Sequence, residues 1–494
     1  MASNLQWQQR PVNTTSKVPV ITNWTPVIGY MLMQNDATTA SYYYYKIILE
    51  VRLEDASGTL LAKIKQRRNG YADDITNNKA RAFFDLRDIA NTQLVNTVFD
   101  QNDTGDQPYR SIHTLGANTA ARLFSFNGDN KTGKTQLEKI YVKGYQEYST
   151  TQTGVPTEVT SDTVNDTLYY LQASLPLMTA RSTDDAYIQG TDFNVFNMSG
   201  TSDRFLSDVE SQTNGQYGIT GYINYVQWDD STDVGDYHTL AFLNDYTNFA
   251  SDAESIVVRY RNSDGDILTT TEIQNETGNG GIAPDSGSLA DTGRLLYVGV
   301  GPGNLEAQST DSAAQPSDGS NNDWAYYEVY ATTTGMGALR SAVYYFVKED
   351  GSCKGYKVRR LAWRNSVGGY DYFNFKRKSI QTTNVERNTY SSMLGTYDQA
   401  KFSYDNTQRG KATRETTANL KETINTDWLS EEQANLIEKL IMSTDVYIVE
   451  NADTTYTQPV MITDSSFVRK TVVNDKMIQY TINIEYANSI NTNS

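Results

Sequence analysis

Tyr42-Tyr43-Tyr44-Tyr45-Lys46-Ile47-Ile48-Leu49-Glu50-Val51-Arg52-Leu53 decides the fold. Ile47, Leu49, Val51 and Leu53 alternate with Lys46, Glu50 and Arg52, the period of a strand with one face buried. Ala56-Ser57-Gly58 supplies a turn, and Thr59-Leu60-Leu61-Ala62-Lys63-Ile64-Lys65 returns as the hairpin partner. The same texture recurs outward from this hairpin. Trp24–Leu32, Ala82–Leu86, Leu137–Tyr145 and Tyr169–Leu175 read as strands, and Asp88–Leu94 as one or two helical turns. Strands spaced by turn clusters indicate a β-sandwich.

A second strand series follows in Gly221–Trp228, Ser255–Tyr260, Arg294–Val300, Trp324–Tyr330 and Ala342–Val347. Asn262-Ser263-Asp264-Gly265 is a hairpin turn before Ile267-Leu268. The Thr/Ser-rich stretch 149–166 is expected as a loop or linker, and 274–293 and 302–323 as long polar loops. The last 140 or so residues differ. Ser430 and Gln433 make a capping box, and Leu436, Ile437, Leu440 and Ile441 fall at helical spacing within Glu431–Met442. Strands follow at Asp445–Glu450, Gln458–Thr463 and Met477–Glu485. The expected architecture is mainly β. It comprises an N-terminal arm (1–20), a β-sandwich-like domain (21–178), a second with long polar loops (179–350), and a C-terminal α+β assembly domain with one clear helix (351–494).

Composition narrows the function. The chain has 494 residues, 42 Lys+Arg against 59 Asp+Glu, and a net charge of −17. That balance argues against a dedicated nucleic-acid binder, whose affinity comes from cations neutralising phosphates. Hydrophobic residues are 38 % of the chain, enough to bury real cores. One cysteine, Cys353, excludes an intrachain disulfide framework and a Cys-based zinc site. Two histidines, His113 and His238, leave little room for proton transfer near neutral pH. No basic and apolar leader opens the sequence, and no run approaches the ~20 apolar residues of a membrane span. Tyrosine is abundant, at 35 copies. With Thr, Asn, Asp and Ser it offers amphipathic contact area at low entropic cost.

Motifs that could carry chemistry have plainer readings. Gly128-Asp129-Asn130-Lys131-Thr132-Gly133-Lys134-Thr135 matches a phosphate-binding loop letter for letter, but Leu137–Tyr145 after it alternates like a strand where a helix is required, so a hairpin turn is expected. Gly299-Val300-Gly301-Pro302-Gly303 reads as a strand end and loop. Asp184-Asp185, Asp229-Asp230 and Asp264-Gly265-Asp266 lack the spacing of a twelve-residue calcium loop. No catalytic residue, metal ligand or cofactor site is assigned.

The most distinctive segment runs from Arg359 to Lys378. A strand carrying Leu361 and Trp363 meets a Gly368-Gly369 turn, and a second strand carries Tyr370, Tyr372 and either Phe373 or Phe375. One reading makes Arg359, Arg360, Trp363, Arg364, Tyr370, Tyr372, Lys376, Arg377 and Lys378 a partner interface that docks on an acidic surface. The other makes the aromatics core and the cations solvated.

Arg360-x-Ala362-Trp363-x-Asn365-x-x-Gly368-Gly369-x-Asp371-Tyr372-Phe373-x-Phe375, then Val385-Glu386-Arg387-x-Thr389-Tyr390 and Asp427-Trp428-Leu429-Ser430-Glu431-Glu432, resembles virion structural proteins of tailed bacteriophages. These are tail- or neck-associated proteins of marine and Bacteroidetes-type phages. The resemblance covers about 355–490 and transfers no catalytic residue. It implies a non-enzymatic building block of the tail, neck or fibre-attachment assembly, working in a ring. The implied partners are copies of itself and other virion proteins, and the implied location is the virion, assembled in the host cytoplasm. The alternative is a receptor- or glycan-binding tail protein, with Trp228 and Trp324 stacking on sugars.

Overall fold

The computed structural model describes residues 5–9, 20–22, 29–34, 42–67, 80–93, 112–116, 124–126, 137–173, 197–198, 200–244, 253–274, 295–307, 312–333, 335–349, 356–450, 456–464, 478–488 and 490–493. The architecture is mainly β. The chain divides into two compact units: Met1–Glu349 with Arg364–Asp371, and Asp350–Trp363 with Tyr372–Ser494.

In the first unit, Tyr43–Leu53 is a strand of a five-stranded sheet. The order is Val20–Thr22, Thr157–Leu171, Leu137–Ser149, Tyr43–Leu53, Leu60–Arg67. A three-stranded antiparallel sheet, Leu5–Gln9, Gly29–Gln34 and Ala80–Asp85, shares its core. Tyr30, Leu32 and Phe84 from the small sheet pack with Ile47, Leu49, Val51, Ile140, Val142 and Leu168 from the large one. This is the two-layer solution to burying one apolar face of each sheet. Two expectations are corrected here. Leu5–Gln9 is a paired strand within the stretch read as an arm. Thr157–Leu171 is a fifteen-residue strand that lies mostly within the stretch 149–166, expected as a loop or linker, and its end meets the expected strand at Tyr169. Its Thr and Val residues have strand propensity, but its first two-thirds meets solvent and shows no apolar alternation.

A second pair of sheets lies in the same unit. Asn197–Met198, Thr239–Asn244, Leu295–Gly299 and Phe124–Phe126 form four strands. Ser211–Asn214, Ile219–Asp229, Tyr344–Glu349, Tyr326–Thr332, Ser255–Arg261 and Ile267–Gln274 follow one another in the larger sheet, with Val234–Gly235 pairing Ile219–Asp229. Val226, Phe242, Ile256, Val298, Tyr327 and Phe346 are among the shared core. The Phe124–Phe126 strand pairs Leu295–Gly299, so both sheet pairs draw on the stretch read as the first sandwich.

The described part of the 302–323 loop is ordered by side chains. Pro302–Glu306 is a short helix entered directly from the Leu295–Gly299 strand, with Pro302 in its first turn, so a helix follows the Gly-rich strand end after all. Asn321 Nδ2 donates to Ala313 O and Gln315 O, and Tyr260 Oη donates to Ala314 O at 2.8 Å.

The second unit carries the C-terminal sheet and the helix Glu431–Met442. Ser430 and Gln433 form the expected reciprocal capping box, and Ala434, Leu436, Ile437 and Leu440 form its buried face. The sheet order is Tyr370–Phe375, Arg359–Arg364, Val446–Glu450, Tyr456–Ile462, Thr481–Tyr486, Lys411–Asn425, Ile380–Ser391. Ile490–Asn493 also pairs Lys411–Asn425.

Candidate functional site: a basic hairpin arm

The predicted interface patch is largely interior. Arg359, Arg360, Trp363, Arg364, Tyr370 and Tyr372 are all buried. In the second unit, Arg359 Nε donates to Glu422 Oε1 at 2.7 Å, and Tyr486 Oη donates to Glu422 Oε2 at 3.0 Å. Arg360 donates to Asn374 Oδ1 at 2.9 Å and lies over the Tyr372 ring. In the first unit, Arg364 Nη2 donates to Tyr370 Oη at 3.2 Å. Of the two candidates for the second strand's core position, Phe375 is buried and Phe373 half-buried. The cations are neutralised or bonded inside, and a charged group so placed presents nothing to a partner. Only Lys376, Arg377 and Lys378 reach solvent, and Arg377 donates to Asp427 Oδ1 at 2.6 Å.

The turn of this segment explains why its residues form a motif. Asn365 Oδ1 accepts from Val367 N and Gly369 N, while Asn365 Nδ2 donates to Leu206 O at 2.8 Å. Gly368 has φ +94°, and a Cβ on Gly369 would lie 2.0 Å from Leu206 O. Ser207 Oγ and Asp208 N donate to Asp371, and Ser366 N donates to Asp208 Oδ2 at 2.6 Å, with Ser366 Oγ bonding the same carboxylate. These residues lock a loop within the first unit, and their chemistry is structural.

The other candidates fall likewise. Trp228 and Trp324 are buried, so neither is placed to stack on a sugar. His113 and His238 are buried, and His238 N donates to Asn304 Oδ1 at 2.7 Å. Asp229 accepts from Ser231, and Asp264 and Asp266 lie in a turn whose backbone amides donate to Asn262 Oδ1. Gly128–Thr135, Asp184-Asp185 and Cys353 lie outside the described residues. Among the described residues no group of three or more His, Cys, Asp or Glu side chains could hold a metal ion, and no helix is long and apolar enough to cross a membrane.

What stands out instead was not legible as strands. Ile380–Ser391 and Lys411–Asn425 pair antiparallel over twelve positions, from Ile380 opposite Thr423 to Ser391 opposite Lys411, with one irregularity at Asn388/Thr389. Among the described residues Ile380–Ser391 is the edge strand of the sheet, and every one of its twelve residues is exposed. Beyond it the hairpin carries a two-stranded ribbon, Thr396–Asp398 with Lys401–Ser403. Its distal end displays Tyr390, Met393, Leu394, Tyr397, Phe402 and Tyr404 to solvent, with Met393 80 % and Tyr397 77 % exposed. Ser392 Oγ donates to Arg409 O at 2.6 Å and Gly395 N to Gln408 Oε1 at 2.7 Å, which hold the tip's shape. Arg387, Lys401, Arg409 and Lys411 are exposed along the same arm.

No family model matches this chain, and no curated protein matches it. Among solved structures it is similar to a chain from the tail of an empty GTA particle, computed with helical refinement and C6 symmetry. The identity is 10 % and the TM-score 0.17, over 30 % of this chain and 98 % of that one. At that TM-score no common fold is demonstrated.

Proposed function

We propose that this chain is a non-enzymatic structural component of a bacteriophage virion, part of its tail, neck or fibre-attachment assembly, acting through protein–protein contacts in a multi-subunit ring. The observation that carries the reading is the arm. A long sheet-edge strand, exposed throughout and leading to a tip of large apolar side chains, is a liability in a solitary protein and an asset in an assembly. The resemblance of 360–375, 385–390 and 427–432 to virion structural proteins points the same way. So does a tyrosine-rich chain, since tyrosine favours interfaces where one end of the ring is buried and the other hydrogen-bonded. The reading needs no cofactor and places the chain in virions assembled in the host cytoplasm.

The test is direct. Purified chain is examined by mass photometry over a concentration series and by cryo-electron microscopy of the virion. Discrete oligomers and a ring of copies in the particle are expected. A chain that stays monomeric at every concentration and touches no neighbour in the particle would overturn the proposal.

A further inference from the structure

The chain's charge is segregated. Residues 151–349 carry 7 Lys+Arg against 28 Asp+Glu, a net of −21. The arm with its basic lead-in, residues 376–425, carries 9 Lys+Arg against 5 Asp+Glu, a net of +4. The arm is also where apolar side chains are gathered in solvent, from Tyr390 to Tyr404. An apolar tip flanked by exposed Arg387, Lys401, Arg409 and Lys411 combines the two ingredients of a specific contact: a desolvated aromatic anchor and a cationic rim.

We infer that the arm of one copy docks on the exposed carboxylates of the described part of 151–349 in a second copy, Glu210, Asp229, Asp233, Asp264, Asp266 and Asp323 among them. The inference rests on the assembly reading above and names the surfaces that would carry it. Tyr397, Phe402 and Tyr404 supply the apolar anchor, and the four cations meet carboxylates of the neighbour. The occupant follows from complementarity, because like charge repels two arms from each other and two acidic regions from each other. Such a contact joins two different surfaces. It is therefore heterologous, and repetition closes it into a ring or extends it as a helix. A heterologous contact also leaves each copy with one donor arm and one acceptor surface.

That property supplies the test, which uses the full chain. The variant Y397S/Y404S/R409E/K411E alters only exposed arm residues, so its fold, read by circular dichroism and melting temperature, should match the parent. It should remain monomeric where the parent oligomerises. Fluorescently labelled variant mixed with unlabelled parent should still enter oligomers, because its acceptor surface is intact. Raising salt from 50 to 500 mM should weaken the parent's association at least tenfold. Zero-length carbodiimide cross-linking of mixed isotopically heavy and light parent chains should join Lys401 or Lys411 of one copy to an Asp or Glu within 151–349 of the other. This readout needs no variant.

Oligomers formed equally well by the variant, or heavy–light cross-links that avoid the arm, would overturn the inference while leaving the assembly reading standing. Failure of the labelled variant to join parent oligomers would overturn it in favour of an arm-to-arm contact. A parent that never oligomerises would remove both.

Discussion

Arg359 and Glu422 face each other across the second unit at 2.7 Å, with side-chain exposures of 9 % and 1 %. Glu422 belongs to the Lys411–Asn425 strand, so this pair anchors the inner strand of the arm within the sheet. Tyr486 donates to the other carboxylate oxygen, and burial pushes the Tyr486 phenol up to about 12, keeping it a donor across the ordinary pH range. Breaking one partner of a buried pair leaves an uncompensated charge, whereas replacing both with apolar groups does not. Arg359→Met alone should therefore cost ~3–5 kcal/mol. The double change Arg359→Met/Glu422→Leu should be clearly less damaging than either single one. Urea unfolding of the three variants checks the order, and a double variant worse than both singles would refute it.

The Asn365–Gly369 turn gives a second prediction. Gly368 occupies a left-handed conformation, and Gly369 abuts Leu206 O with no room for a methyl group. Gly368→Ala should cost ~1–3 kcal/mol through backbone strain. Gly369→Ala should cost more, because the obstructing atom is backbone and the loop around Leu206 must move. Asn365→Asp keeps the acceptor but turns a buried carboxylate oxygen towards Leu206 O, so it should cost at least as much as Asn365→Ala. Thermal denaturation of the four variants ranks them.

Much of the fold was legible because alternation survives wherever one face is buried. Ile47, Leu49 and Val51 announced a strand, and the capping box of Ser430 and Gln433 announced the helix. The first two-thirds of Thr157–Leu171 and the two arm strands escaped for one reason. A strand wet along much of its length has no apolar period, and Thr, Asn and Glu then resemble a loop. The interface patch was misplaced by the converse error. Clustered Arg and aromatic residues read as a surface, but Glu422 and Asn374, which receive the guanidinium groups of Arg359 and Arg360, are distant in sequence or polar without charge. The signal that could have found the arm was the density of Thr, Val and Tyr between Ile380 and Ser391, residues with strand propensity whatever they face.

The outer face of the five-stranded sheet carries a charge ladder with a definite pH signature. Lys63 and Lys65 donate to Glu158 at 2.8 and 2.9 Å, and Glu147 bonds Lys46 at 2.9 Å and also Lys65. The two lysines hold the Glu158 carboxyl down to about 2, against 4.5 for a free side chain. A depressed folded pKa means that the unfolded chain binds the proton first. The stabilisation is complete above pH 4.5 and is lost as pH falls towards 2. Bonding to Glu158 raises the Lys63 ammonium, so its share persists below the free value of 10.5 and is lost as pH rises beyond it. Glu158→Gln should flatten the fall in stability between pH 4.5 and 2 relative to the parent and leave the difference between pH 6 and 8 unchanged. Unfolding midpoints at each pH test this, and an unaltered acid limb would count against it.

The arm's outer strand should declare itself by hydrogen exchange. In an antiparallel pair each strand directs alternate backbone amides to its neighbour and the rest away from it. Among the described residues Ile380–Ser391 has one neighbour, Lys411–Asn425, so every second amide along it points away from that partner. In the monomeric chain the strand should show alternating protection. Amides bonded to the inner strand should exchange slowly and the intervening ones at nearly the rate of an unstructured peptide. Lys411–Asn425 is flanked on its second side by Thr481–Tyr486 and Ile490–Asn493 and should be protected more evenly from Glu415 to Asn425. Residue-resolved exchange by nuclear magnetic resonance, at a concentration where the chain is shown to be monomeric, distinguishes the two patterns. Uniformly slow exchange along Ile380–Ser391 in that monomer would mean that another part of the same chain covers the edge, and the edge could not then be the surface that an assembly partner meets.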